Sequence, residues 1–100
     1  MSTKYYTTKD LDKKYGPLTF AKVLRSFRLS DEMNQKAFAK RLGISPANLC
    51  DLEKGRKLPS PSRAAKIAKK LGLSEIYLIE LSIQDSLRSE KLHYKVSLAA

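Results

Sequence analysis

Between residues 19 and 89 apolar positions recur at intervals of three and four, and each run opens with a side chain able to cap a helix. Thr19 precedes Phe20, Val23, Leu24 and Phe27, which predicts a first helix with one buried face, ending near Leu29. Asn34 opens a shorter run whose inner face is Phe38, Ala39 and Leu42, and Gly43 can take the left-handed conformation that stops it. After a tight turn, Ser45 caps a third helix with Pro46 at its first position, where a missing N–H costs no hydrogen bond. Leu49 and Leu52 face inward there, and Gly55 ends the segment. Ser60-Pro61 repeats that start signal, and Ala64, Ile67, Ala68 and Leu71 form the stripe of a fourth helix closed by Gly72. Past Ser74, the residues Ile76, Tyr77, Leu78, Ile79, Leu81, Ile83 and Leu87 leave little polar face, so a fifth helix is expected to bury more than one side, with a dimer contact as the reason.

The two ends read differently. Residues 1–17 run from polar Ser2, Thr3 and Lys4 to the turn signal Gly16-Pro17 and predict an arm ahead of the domain. From Leu92 the period changes to two: Leu92, Tyr94, Val96 and Leu98 alternate with His93, Lys95 and Ser97, which predicts a short terminal strand. A lone strand has no ladder partner in a helical domain, so it pairs with a second copy, adds to a partner's sheet, or stays disordered. His93 falls on its polar side and reads as a surface residue. The division is an arm at 1–17, an all-α domain at 18–89 and a tail at 90–100.

Length and apolar content fit one small globular unit with a core. Charge adds more: 20 Lys and Arg stand against 10 Asp and Glu, a net charge of +10. A polyanionic partner is the first implication. The excess is +5 over residues 1–30, +2 over 31–60 and +3 over 61–100, counted along the sequence, so it suits a folded surface touching phosphates at several points better than a polybasic membrane arm. No membrane association is expected. One cysteine, Cys50, forms no internal disulfide, and the absence of a secretory or long apolar segment points to the cytoplasm, at the nucleoid. A single His and a single Cys cannot assemble a four-ligand zinc site, so neither metal nor cofactor is expected. Cys50 reads as a small packed residue rather than a redox switch, and a Cys50–His93 catalytic dyad would split nucleophile and base between a helix and a terminal strand. With no P-loop either, an enzyme is not expected.

Two short helices joined by a Gly-containing turn have the geometry of a helix-turn-helix, in which the first props the second into the major groove. Here 35–42 is the prop and 45–54 the reader, and Ala39 is small where a bulky side chain would push the two apart. The residues Gln35-Lys-Ala-Phe-Ala39, Leu42-Gly-Ile-Ser45, Leu49, Leu52-Glu53-Lys-Gly55, Pro59 and Ala68 to Gly72 resemble the lambda-repressor-like, Cro-type (XRE) family over roughly residues 18–82. The resemblance implies a bundle of about five helices binding double-stranded DNA.

It also implies that Gln35, with Lys36, holds a backbone phosphate at the start of the prop helix. With Leu49 and Leu52 committed to the core, Ser45, Pro46, Ala47, Asn48 and Asp51 are left to face the bases. Asn48 can offer adenine one donor and one acceptor, whereas Pro46 and Ala47 can make only apolar contacts, for instance with a thymine methyl. Asp51 is open: it accepts from cytosine N4, works through water, or repels wrong sequences. Lys54, Arg56 and Lys57 follow the reader and are expected to grip phosphates. The family pattern further implies an ion pair between Arg28 and Glu53 that fixes the reader's angle. Glu32 stands where the family commonly has Gly, so a turn of different shape is expected between the first two helices.

The function these expectations favour is a sequence-specific transcriptional repressor, a homodimer on a palindromic operator. Small size and accessory ends favour a subtype resembling HigA-like antitoxins, in which the tail or the Tyr5-Tyr6 arm holds a small ribonuclease-like toxin and the pair represses its own operon. A stand-alone phage-type repressor is the near alternative. A protein-binding adaptor that kept the fold and lost DNA contact is the alternative from another class.

Overall fold

A computed structural model describes residues 16–99 and places five helices there: α1 (Phe20–Ser30), α2 (Gln35–Leu42), α3 (Pro46–Glu53), α4 (Pro61–Leu71) and α5 (Glu75–Ser89). The architecture is all-α. The expected arm, with Tyr5 and Tyr6, lies outside the described residues apart from Gly16 and Pro17.

Each helix starts where its cap allows it to. The side chains of Thr19, Asn34, Ser45, Ser60 and Ser74 accept from the backbone N–H groups of Lys22, Ala37, Asn48, Arg63 and Tyr77, so every helix has one of its orphan amides satisfied by the residue before it. Pro46 and Pro61 occupy the first positions of α3 and α4. α2 stops at Gly43, whose φ of 72° belongs to the left-handed region, and the Lys70 ammonium donates to the Leu42 carbonyl at 2.9 Å beside it. A side chain on Gly43 would collide with that ammonium as well as straining the backbone.

The turn from α1 to α2 contains Glu32 at φ 54°. The backbone therefore adopts the left-handed conformation that a glycine takes freely, and Glu32 bears a strain of roughly 1–2 kcal/mol.

The core is a single cluster to which all five helices contribute. Phe20 and Leu24 enter from α1, Phe38, Ala39 and Leu42 from α2, Leu49 and Leu52 from α3, Ala64, Ile67, Ala68 and Leu71 from α4, and Leu78 and Leu81 from α5. Val23 and Phe27, also expected on the inner face of α1, are only partly buried. α2 and α1 both pack on α3, while α5 packs chiefly on α4 and also on α1. Ala39 is fully buried, which leaves no room for branching between the two short helices.

α5 departs from the expectation that its apolar residues bury more than one side. Ser82 and Asp85 are buried on its inner side, whereas Ile76 and Tyr77 are exposed. Asp85 reaches the start of α1, 65 positions earlier in the chain, and accepts from the Phe20 N–H at 3.0 Å. It adds a second cap to α1, and Arg88 donates to its other oxygen at 3.0 Å.

The expected terminal strand does not form among the described residues. Residues 92–98 return along α5 with their backbone groups held by side chains in place of a ladder. Gln84 donates to the Tyr94 carbonyl at 2.7 Å and accepts from the Val96 N–H at 2.8 Å, while Glu80 accepts from the Leu98 N–H at 3.0 Å. The alternating pattern therefore belongs to an irregular segment hydrogen-bonded to a helix. The helix supplies the hydrogen-bonding partners that a sheet would otherwise have to provide.

Burial pushes the Asp85 carboxyl above its ordinary value, against the opposing effects of the Phe20 N–H and Arg88. A carboxyl whose folded value lies above the unfolded one holds its proton more tightly in the native state. Its contribution to stability thus declines as pH rises from the ordinary aspartate range through the raised value. Asp85→Asn is expected to retain an acceptor for Phe20 and to flatten the pH dependence of urea stability in that window. Asp85→Ala is expected to lose about 1–2 kcal/mol by orphaning the Phe20 N–H. An unaltered pH profile in Asp85→Asn contradicts this assignment.

Candidate nucleic-acid interface

α3 is a helix of eight residues, too short to hold its own orientation, and its placement comes from three helices meeting at one carboxylate. Leu49 and Leu52 anchor its inner face in the core. At its last turn Glu53 is buried, with a side chain only 2% exposed. Arg28 of α1 approaches it as a fork, Nε to Oε2 at 2.7 Å and Nη2 to Oε1 at 3.0 Å. The third guanidinium nitrogen donates to the Met33 carbonyl in the α1–α2 turn at 3.0 Å. Gln35, the first residue of α2, donates its side-chain amide to Glu53 Oε1 at 3.2 Å. The Glu53 hydrogen bond holds the Arg28 guanidinium above its already high ordinary value, so it stays charged throughout the usable pH range.

Gln35 thus sits in the joint itself, its amide nitrogen engaged by Glu53 and the rest of its side chain half-buried at the head of α2. Lys36 beside it is exposed. On the outer side of α3, Ser45, Pro46 and Ala47 are exposed, and Asn48, Cys50 and Asp51 are half-buried.

Asn48 and Asp51 are half-covered because the following loop folds back over α3. Gly55, at φ 73°, turns the chain so that the Arg56 and Lys57 N–H groups both point at the Asp51 carbonyl, at 2.9 and 3.3 Å. Both side chains then close on the Asp51 carboxylate: Arg56 Nε lies 2.9 Å from Oδ1 and Lys57 Nζ 3.6 Å from Oδ2. Lys57 also donates to the side-chain Oδ1 of Asn48 at 3.4 Å, and Arg56 reaches the Cys50 sulfur at 3.4 Å. The Arg56 hydrogen bond keeps the Asp51 carboxyl below its ordinary value, so it is ionised throughout the neutral range and yields the pairing only in acid. Lys54 is exposed and caps the end of α3 with its backbone N–H, which donates to the Cys50 carbonyl at 3.0 Å, while its side chain makes no hydrogen bond or ion pair among the described residues.

The structure therefore brings the sequence-derived residues together on one side of the molecule in two groups. Arg28, Gln35 and Glu53 form the joint, and Asn48, Asp51, Arg56 and Lys57 form an interlinked outer surface beside Ser45, Pro46 and Ala47. Weighing Asp51 only against bases and phosphates missed its pairing with Arg56 and Lys57. The signal that could have found it is an acid and a base five residues apart across a glycine.

A helix-turn-helix family model matches residues 24–78, from the middle of α1 to the first turn of α5. The chain belongs to the helix-turn-helix family. This is a Cro-type family of DNA-binding regulators, not of enzymes, and the matched span contains the whole joint together with the loop behind α3. This helix-turn-helix protein is also similar to the endothelial differentiation-related factor 1 homolog of Gallus gallus, at 33% identity over 66 residues. That match takes in 66% of this chain and 45% of the relative, so the chain spans less than half of its relative's length. No solved structure matches significantly. None of the described helices is long and apolar enough to cross a membrane.

Breaking the joint from one side should cost more than dissolving it. Arg28→Met leaves a buried carboxylate with only Gln35 for a partner and is expected to lose about 3 kcal/mol in urea unfolding, whereas Arg28→Met with Glu53→Leu is expected to regain most of it. Additive losses in the double variant contradict the ion pair's role.

Proposed function

We propose that this helix-turn-helix protein is a sequence-specific transcriptional repressor that lays α3 in the major groove of an operator. The observation that carries the reading is the joint at Glu53. It spends a buried charge and the first side chain of α2 on setting the angle of a helix whose outer face is small and polar. Ser45, Pro46, Ala47 and Asn48 meet base edges, with Asn48 suited to adenine. Lys36, Lys54, Arg56 and Lys57 hold the sugar-phosphate rails, and Gln35 adds its remaining hydrogen-bonding capacity at the start of α2.

The pairing of Asp51 with Arg56 and Lys57 gives Asp51 a part in this. It orients the loop's cations over the end of α3 and cancels the charge that would otherwise repel phosphates. Binding exchanges the weak Lys57–Asn48 contact for a phosphate and releases Asn48 to a base.

The repressor acts as a dimer on a two-fold site, supported by apolar side chains exposed on α5 and the tail: Ile76, Tyr77, Leu92 and Tyr94. In its antitoxin form the tail or the Tyr5-Tyr6 arm takes the small ribonuclease-like toxin. Co-purification of the product of an adjacent gene would support that form, and recovery of the chain alone with full operator affinity would favour the stand-alone repressor.

In gel shifts on random duplex, Arg56→Glu should bind about tenfold more weakly at 0.1 M salt and lower the salt slope by about one unit. Asp51→Asn should also weaken binding, although it removes a negative charge from the face presented to DNA. Tighter binding by Asp51→Asn would show that Asp51 acts by repulsion alone. A wild type with no duplex affinity would overturn the reading in favour of the protein-binding adaptor.

A further inference from the structure

α5 ends by folding the chain back on itself. The Lys91 N–H donates to the Arg88 carbonyl at 3.0 Å and the Leu92 N–H to the Leu87 carbonyl at 2.9 Å, the pair of bonds that closes a helix end around one left-handed residue. The same pair closes α2 and α4, where the left-handed residue is Gly43 or Gly72. At α5 it is Lys91, with φ 60°. The reversal is therefore made by a residue whose Cβ resists it. The Lys91 side chain is exposed and makes no hydrogen bond or ion pair among the described residues to offset that cost.

Beyond this hinge the tail is attached to α5 through its backbone. Gln84 spans the Tyr94 carbonyl and the Val96 N–H with the two ends of one amide, and Glu80 accepts from the Leu98 N–H. Gln84 and Glu80 stand four residues apart on one face of α5, so they grip a run of main chain and not particular side chains. The tail of a second copy presents the identical run.

Charge favours the meeting of tail and helix. α5 carries Glu75, Glu80 and Asp85 against Arg88, whereas residues 91–98 carry Lys91 and Lys95 and no acid. Folded onto its own helix, however, the tail leaves apolar surface open. Leu92 is 42% and Tyr94 70% exposed, and with Leu18 and Tyr77 they line a recess of about 560 Å³ between the tail and α5. A second chain crossing here would cover side chains that the single chain leaves in water.

We infer that two copies of this chain exchange residues 92–98: the Lys91 turn opens, and each tail lies on α5 of the other copy, gripped by that copy's Gln84 and Glu80. The inference rests on the proposed dimer and names the segment that builds it. Exchange keeps every hydrogen bond between tail and α5, so only the hinge and the seam change. Two lysines leave the left-handed region, the two bonds at each helix end pass to water, and Tyr77, Leu92 and Tyr94 come under the crossing chains. A short hinge under strain is the feature that turns such a fold toward exchange.

Sedimentation velocity of the full chain over a concentration series reads the dimer dissociation constant. Lys91→Gly makes the closed turn easy, by roughly fivefold in each chain, and is expected to weaken the dimer roughly 25-fold because two hinges must open. Lys91→Pro cannot adopt the left-handed turn at all and is expected to tighten the dimer by about tenfold or more. Both substitutions are on the surface, and a thermal melt will register any loss of folding. In a dimer mixed from copies carrying different isotope labels, filtered NOE spectra are expected to connect the Gln84 side-chain amide of one copy to Tyr94 and Val96 of the other. A dimer in which Gln84 meets only its own tail, or one equally tight in the two Lys91 variants, overturns the exchange and leaves the dimer standing. A wild type that is monomeric even at millimolar concentration overturns both.

Discussion

Glu53 receives hydrogen bonds from two other helices, and the orientation of α3 follows from that meeting. A buried carboxylate is costly unless its partners are well placed, and an apolar replacement of the whole pair could be equally stable. What the ionic version adds is directionality. A guanidinium fork and an amide reaching one carboxylate from different helices allow little rotation of α3 about its own axis. Leu49 and Leu52 supply the adhesion that fixes α3 in the core but, being apolar, do not set that rotation so sharply. A short helix that reads a groove needs both.

Formal charge sharpens the point. α3 itself is acidic, with Asp51 and Glu53 and no basic residue, while α1 and α2 each carry three cations and α4 carries four. An acidic reader next to phosphates would be self-defeating if its charges were open. Both are answered within the fold: Glu53 is neutralised from behind by Arg28, and Asp51 from the side by Arg56 and Lys57. The neighbouring elements are thus left to present the positive field.

Much of the fold could be read directly because its signals are local. Thr19, Asn34, Ser45, Ser60 and Ser74 cap their helices through contacts only three residues long, and the prolines and glycines act on their own backbone angles. Spacing alone placed Phe38, Ala39, Leu49 and Leu52 in the core. Contacts that close over long sequence distances were less accessible. Asp85 capping α1 has no local signature, and the polar Ser82 and Asp85 in the buried face of α5 run against its apolar pattern. The alternation after Leu92 suggested a strand that does not form, and only the three-dimensional neighbours show that Gln84 and Glu80 satisfy the backbone there. At the reading surface, exposure of Ser45 to Ala47 followed from helix geometry. The covering of Asn48 and Asp51 depends on how Gly55 folds Arg56 and Lys57 back, which helical periodicity does not describe.

The most direct test is to record backbone amide NMR shifts of the labelled chain while adding a duplex that carries a selected site. The account predicts that the largest changes fall on Ser45 to Asp51 and on Lys54 to Lys57, with the amides of α5 almost unmoved. Shifts concentrated along α5 and residues 92–98, with α3 unchanged, would place the partner on the wrong side of the molecule and contradict it.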